Sequence, residues 1–189
     1  MILQERDKKI LEFVEKFKVV TTSHIEKEFF AGNKQSARIA RRRLKKLYDN
    51  KFLKRERNNI NAEYIYYFRK PIQIRHQLLV IDFYQAIKKY GKIIEFTPEK
   101  TMEDIRPDAV CKIARDNHLH LFCVEIELSN NTFNQTKYEQ FYASREYKKW
   151  FQVFPKVIII SNRIINIKES KIKFIQISTD LIEIQKIFI

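Results

Sequence analysis

The 189-residue chain holds only two glycines, Gly32 and Gly91, with two cysteines and four prolines. Two isolated glycines cannot build the glycine-rich backbone cradle that grips nucleotide phosphates, so phosphate-loop nucleotide binding is excluded. Cys111 and Cys123 form no Cys-x-x-Cys pattern. They are too few for a thiolate zinc site and read as thiols of a reduced, cytoplasmic protein. Long apolar runs are also missing: pure stretches such as Val157–Ile160 end after four residues, against the roughly 20 that span a bilayer. The opening Met1-Ile2-Leu3-Gln4-Glu5-Arg6 lacks the apolar centre of a secretory signal. No membrane partner is expected.

What is present is an ordered composition, 44% hydrophobic and 13% aromatic, long enough for one small module and one medium domain. The net charge of +14 is unevenly spread. Residues 1–71 carry 19 Lys/Arg against 9 Asp/Glu, whereas residues 72–189 carry 18 against 14. A basic surface can serve solubility alone, but its concentration in one module favours a polyanionic partner.

Within residues 1–71, Ile10, Leu11, Val14 and Phe17 recur at helical spacing and predict a first helix over 4–17. Ser23 with Glu26 reads as a capping box opening a second helix that runs to Phe29 and stops at Gly32-Asn33. A third helix is predicted over 34–50, with Ala37, Ala40, Leu44 and Leu47 as its apolar stripe. From Lys34 to Lys46 there are seven basic residues and no acid, and Arg38, Arg41, Arg42 and Lys45 fall outside the apolar stripe. Two β-prone runs, Phe52–Arg55 and Tyr64–Phe68, flank an Asn-rich turn and predict a hairpin. Three helices and a hairpin is the order of a winged helix-turn-helix. In that reading Lys34, Arg38, Arg41, Arg42 and Lys45 face double-stranded DNA, and Lys54, Arg55 and Arg57 on the wing reach flanking phosphates. The plain alternative is a solvated helix face.

Pro71 marks the expected junction, giving a winged-helix domain over 1–71 and a second domain over 72–189. The second domain reads as a helix over 73–90 and strands near 92–96, 106–114 and 118–128. A helix over 132–149 follows, then strands at 156–161 and 171–177. The order α-β-β-β-α-β makes the expected class α+β, with a restriction-endonuclease-like core. A two-residue hairpin loop at Asp116-Asn117 sets Asp108 opposite Glu125, and strand alternation puts Glu127 on the same face. Three carboxylates on one face supply the hard oxygen ligands that Mg²⁺ or Mn²⁺ takes. Pro107-Asp108 followed by Glu125-x-Glu127 approaches the PD-(D/E)xK nuclease pattern, departing where Glu127 stands for the usual Lys. Lys137 on the following helix is the candidate substitute, and Lys112 shares the face of Asp108.

These residues together resemble the replication-relaxation family of plasmid and mobile-element proteins. The resemblance is carried by His76-Gln-Leu-Leu-Val-Ile-Asp82-Phe-Tyr84, by Ile105-Arg-Pro-Asp108-Ala109 and by Val124-Glu125-Ile-Glu127. Lys137 and Phe141 or Tyr142 match more loosely. Glu127 replaces the more usual Asp, and Leu128-Ser129-Asn130-Asn131 replaces an Arg-Gly-Thr-like segment. The resemblance implies a sequence-specific DNA-binding protein acting at a plasmid origin, in replication initiation or in processing for transfer. Its partners would be the origin or operator duplex and replication or relaxase proteins, and a two-fold site would imply a homodimer. Two other readings stand beside it: a metal-dependent nickase using Asp108, Glu125, Glu127 and Lys137, and a winged-helix transcriptional regulator with a degenerate second domain.

His118-Leu119-His120 fits the His-hydrophobic-His pattern of rolling-circle nickases, with Tyr138 and Tyr142 downstream on a helix. Alternation points both imidazoles away from Glu125, and the pair starts at the predicted turn, so surface histidines are the expectation. His76 reads as a packing residue. Asp82, on the same helix, reads either as an exposed acid or as a fourth carboxylate of the cluster.

Overall fold

The computed structural model describes residues 2–129 and 133–189, and the chain divides into two compact units, Met1–Gln85 and Ala86–Ile189. The class is mixed α+β.

The first unit opens with α1 (Glu5–Phe17), α2 (Thr22–Phe29) and α3 (Ser36–Asp49), followed by the hairpin strands β2 (Lys54–Glu56) and β3 (Ile65–Tyr67). A strand that sequence periodicity did not predict, β1 (Val19–Thr21), runs between α1 and α2 and completes an antiparallel sheet of order β1-β3-β2. Helix α3 buries Ala40, Leu44 and Leu47 as expected. The start of α2 differs from expectation. Thr21, not Ser23, is the cap: its hydroxyl accepts from His24 N at 3.3 Å, while His24 Nδ1 accepts from Thr21 N at 3.2 Å. The expected partners are used elsewhere. Ser23 donates through N and Oγ to Glu63, and Ser36 Oγ donates to Glu26.

Helix α4 (Ile74–Ile87) follows Pro71, and its residues up to Gln85 belong to the first unit. The boundary therefore falls inside α4 and not at Pro71. Ile74 and Leu78 pack on Val19, Ile65 and Tyr67. Tyr84 lies against Phe13 and Phe17, with ring centroids 6.0 and 5.2 Å away. Because His24 Nδ1 accepts a hydrogen bond, Nε2 carries the hydrogen and donates to Asp82 Oδ1 at 3.0 Å. Gln85 Nε2 adds a bond to the His24 carbonyl at 2.9 Å. An apolar helix buries its stripe where a complementary surface exists, and sequence position does not choose that surface.

The second unit holds β4 (Lys92–Pro98), β5 (Ala109–Arg115), β6 (His118–Ile126), α5 (Gln135–Ala143), β7 (Lys156–Ile160) and β8 (Phe174–Ile177). They form a mixed sheet of order β4-β5-β6-β7-β8. The first three strands are an antiparallel meander, while β7 and β8 run parallel to β6 and to each other. Gly91 precedes β4 where a Cβ would sit 2.5 Å from the Ala114 carbonyl oxygen, so only glycine allows that approach. Val110, Cys123, Val157 and Ile159 on one sheet face pack with Phe133, Tyr138, Phe141 and Phe151 as the core. The helix expected over 132–149 is two pieces. Arg145 adopts a left-handed φ of 61°, so α5 ends at Ala143 and a 3-10 turn, Glu146–Lys149, follows. The expected start at Thr132, and Asn130-Asn131 before it, lie outside the described residues.

Candidate nucleic-acid interface and carboxylate pocket

On α3, the positions opposite the buried Ala40–Leu44–Leu47 stripe are Arg38, Arg41, Arg42 and Lys45, all exposed. Lys34 and Lys46 are exposed beside them. Lys45 is paired with Asp49 at 2.6 Å one turn on. The seventh basic residue of the run, Arg43, is turned inward. Its Nε and Nη2 both donate to the fully buried Asp7 of α1, and Nη2 also reaches Gln4 Oε1. Arg43 is therefore a structural bolt between α1 and α3, a role that a run of identical charges gave no sign of.

On the hairpin, Lys54 and Arg57 are exposed and Arg55 is half-buried. The Arg55 guanidinium lies 4.1 Å from the Tyr48 ring centroid and 4.4 Å from that of Tyr64. Partial burial pulls its pKa down, but the hydrogen bond to Tyr66 and the neighbouring phenols outweigh this and leave it raised. Arg57 also stacks on Tyr64, at 4.8 Å, and donates to the Ile60 carbonyl. The tyrosines thus fasten the hairpin to the C-terminal end of α3 and hold its cations in place.

In the second unit, Asp116 and Asn117 have φ of 49° and 60°, the pair of left-handed residues that a tight two-residue hairpin needs. The register runs from Arg115↔His118 to Ala109↔Val124, as the turn predicts, and stops one residue short of the expected Asp108–Glu125 pair because β5 begins at Ala109. The carboxylates are nevertheless handled differently. Asp108 Oδ2 accepts from the Ile126 backbone N–H at 2.7 Å. Glu125 Oε1 accepts from the Tyr138 hydroxyl. Glu125 and Glu127 line a pocket of about 270 Å³ together with Arg106, Asn134, Lys137 and Tyr138. Asp108 is not among its lining residues. Burial, and then the charge of Glu125, push the Tyr138 phenol well above its ordinary pKa, so it stays protonated and donates.

Lys112 is committed to Glu95 at 2.7 Å, and Lys100 meets the same carboxylate at 3.2 Å. This pairing, Lys112 foremost, holds Glu95 below the usual carboxylate range. Asp82 is bonded to His24 in the first unit. His118 donates from Nδ1 to the Asp116 carbonyl at 2.7 Å, and His120 rests edge-on to Phe188 at 5.2 Å, while burial lowers its pKa. Paired with Arg115 and Ile113, the two histidines occupy the sheet face opposite Glu125. Cys111 and Cys123 are buried free thiols, and burial pushes Cys123 far up.

No family model, no characterised protein and no solved structure matches this chain. No helix among the described residues is long and apolar enough to cross a membrane. Arg106 and Asn134 at the pocket, and Tyr48 and Tyr64 beneath the hairpin, are site residues that the sequence reading missed, while Tyr138 was considered only beside the histidine pair and not as the partner of Glu125. Only the aromatic–basic alternation Tyr64-Ile65-Tyr66 near Arg55-Glu56-Arg57 offered a signal for the second group.

Proposed function

We propose that this is a sequence-specific duplex-DNA-binding protein of a plasmid or mobile element, acting in replication initiation or in origin processing for transfer. The observation that carries the DNA reading is the outward face of α3, where Arg38, Arg41, Arg42 and Lys45 stand opposite the buried stripe, with no acid from Lys34 to Lys46. The element order of the first unit and its β1-β3-β2 sheet support a winged helix with β2–β3 as the wing. In this reading α3 enters the major groove, where arginine forks read guanine edges. Lys54 and Arg57 neutralise flanking phosphates and set the register. The plasmid role rests on the resemblance of His76–Tyr84, Ile105–Ala109 and Val124–Glu127 to the replication-relaxation family. Titrating a labelled duplex with Arg38→Ala/Arg41→Ala/Arg42→Ala tests the interface. Loss of binding at physiological salt with an unchanged circular dichroism spectrum is expected, and retained affinity would sink the winged-helix reading.

The second unit, in the same proposal, is a PD-(D/E)xK-like core that serves recognition or recruitment of replication or relaxase proteins. A nickase is the second reading, favoured by Glu125, Glu127 and Lys137 meeting at one pocket. Carboxylate oxygens are what Mg²⁺ or Mn²⁺ would require. As arranged, however, Asp108 is turned to the Ile126 N–H and Glu125 to Tyr138, and among the described residues no three His, Cys, Asp or Glu side chains form a cation site. Each of these bonds engages one carboxylate oxygen, and no catalytic step is derived through a metal.

A further inference from the structure

Beside the outward face of α3 lies a second basic feature, of which the DNA reading uses only Arg42. A cavity of about 400 Å³ between α1 and α3 is lined by Arg6, Arg42, Arg43 and Lys46 around Phe30 and Ile39, with Gln4 at its edge. No acid lines it. Asp7, fully buried, engages Arg43 through two guanidinium nitrogens and so balances that one charge. Arg6, Arg42 and Lys46 have no ion-pair partner among the described residues and supply the uncompensated positive charge. Arg6 is also preplaced, its guanidinium 5.1 Å from the Phe30 ring centroid. Gathering like charges around one cavity is unfavourable unless an anion shares it. Guanidinium forks with one ammonium match the oxygens of a phosphate group better than those of a lone halide.

We infer that this cavity is a seat for a DNA backbone phosphate, extending the duplex footprint from α3 onto the start of α1. The inference rests on the DNA reading above. Arg42 belongs to both features: it stands at the edge of the outward face and also lines the cavity. A strand following α3 past Arg42 therefore meets Lys46 and Arg6 next. Arg43 does not release its partner; it anchors the floor, while the three other cations take the charge. Such a contact adds affinity and registration without sequence preference.

The test is a salt titration of a fluorescein-labelled duplex against the full chain in three forms: wild type, Arg6→Gln/Lys46→Gln, and Arg38→Gln/Arg41→Gln. Each phosphate contact contributes about 0.9 to the slope of log affinity against log salt. The cavity variant is expected to lower that slope by about 1 and to weaken unrelated sequences equally. Arg6→Lys, which keeps the charge, is expected to keep the slope, and equal thermal midpoints would exclude misfolding as the cause. An unchanged slope in the cavity variant, with loss in the α3 variant, overturns the phosphate seat and leaves the DNA reading intact. Salt-independent or absent binding by the wild type overturns both.

Discussion

Tyr138 on α5 donates its phenolic hydrogen to Glu125 on β6, and the same contact closes one wall of the carboxylate pocket. Tyr138 is almost fully buried, so its hydroxyl has little water to bond in place of Glu125. Its raised pKa keeps it protonated as the donor of this bond.

That pair carries a pH signature. A phenol whose folded pKa lies above its unfolded value of about 10 stabilises the fold fully below that value. The contribution is lost as pH rises above it, because the unfolded chain then releases a proton that the folded chain retains. Tyr138→Phe is expected to lower stability by about 1–3 kcal/mol at neutral pH by leaving Glu125 short of a donor. It should also flatten the decline of the thermal midpoint as pH rises above about 10. Thermal unfolding of both proteins across that range measures the effect, and parallel curves would refute it.

Asp7 and Arg43 make a different kind of contact, a buried ion pair joining α1 to α3. Removing one partner of a buried pair strands the other charge and costs about 3–5 kcal/mol. Asp7→Ala is expected to destabilise the first unit by that order in urea unfolding, whereas Arg42→Ala on the neighbouring exposed position changes stability little. A cost for Asp7→Ala below about 1 kcal/mol would mean the pair is not holding the helices together.

Arg55 lies against the rings of Tyr48 and Tyr64. Arg55→Lys keeps the charge but loses the planar stack and its hydrogen-bond fork. A loss of about 1 kcal/mol is expected, read by unfolding, together with weaker duplex binding from a loosened hairpin. An equal stability for the two proteins would show the stacking to be incidental.

The second unit is tested on supercoiled plasmid carrying the cognate origin, with Mg²⁺ or Mn²⁺ supplied, comparing the wild type with Asp108→Ala and Glu125→Ala. The proposed function expects tight binding and no nicking by any of the three. Relaxed circles formed by the wild type alone would overturn it in favour of the nickase and place the chemistry at these carboxylates.

Local pattern settled a good deal. The stripe Ala40–Leu44–Leu47 specified α3 and therefore which cations face outward, since a helix turns by a constant angle per residue. Asp116-Asn117 specified a tight turn, and a turn of known length sets every cross-strand pair behind it, down to Ala109 and Val124. What was not legible depended on partners distant in sequence. Strand β1 is three residues long and has no period of its own; it exists because β3 offers an edge to pair with. Helix α4 looks equally apolar whichever side of Pro71 it serves, and Asp82, Tyr84 and Gln85 join the first unit because His24, Glu28 and Phe17 are there to receive them. The charges divided in the same way. The sequence by itself determined that seven cations lie between Lys34 and Lys46, and tertiary structure alone decided that Arg43 among them is spent on buried Asp7, because an ion pair forms only between side chains that the packed backbone has brought together.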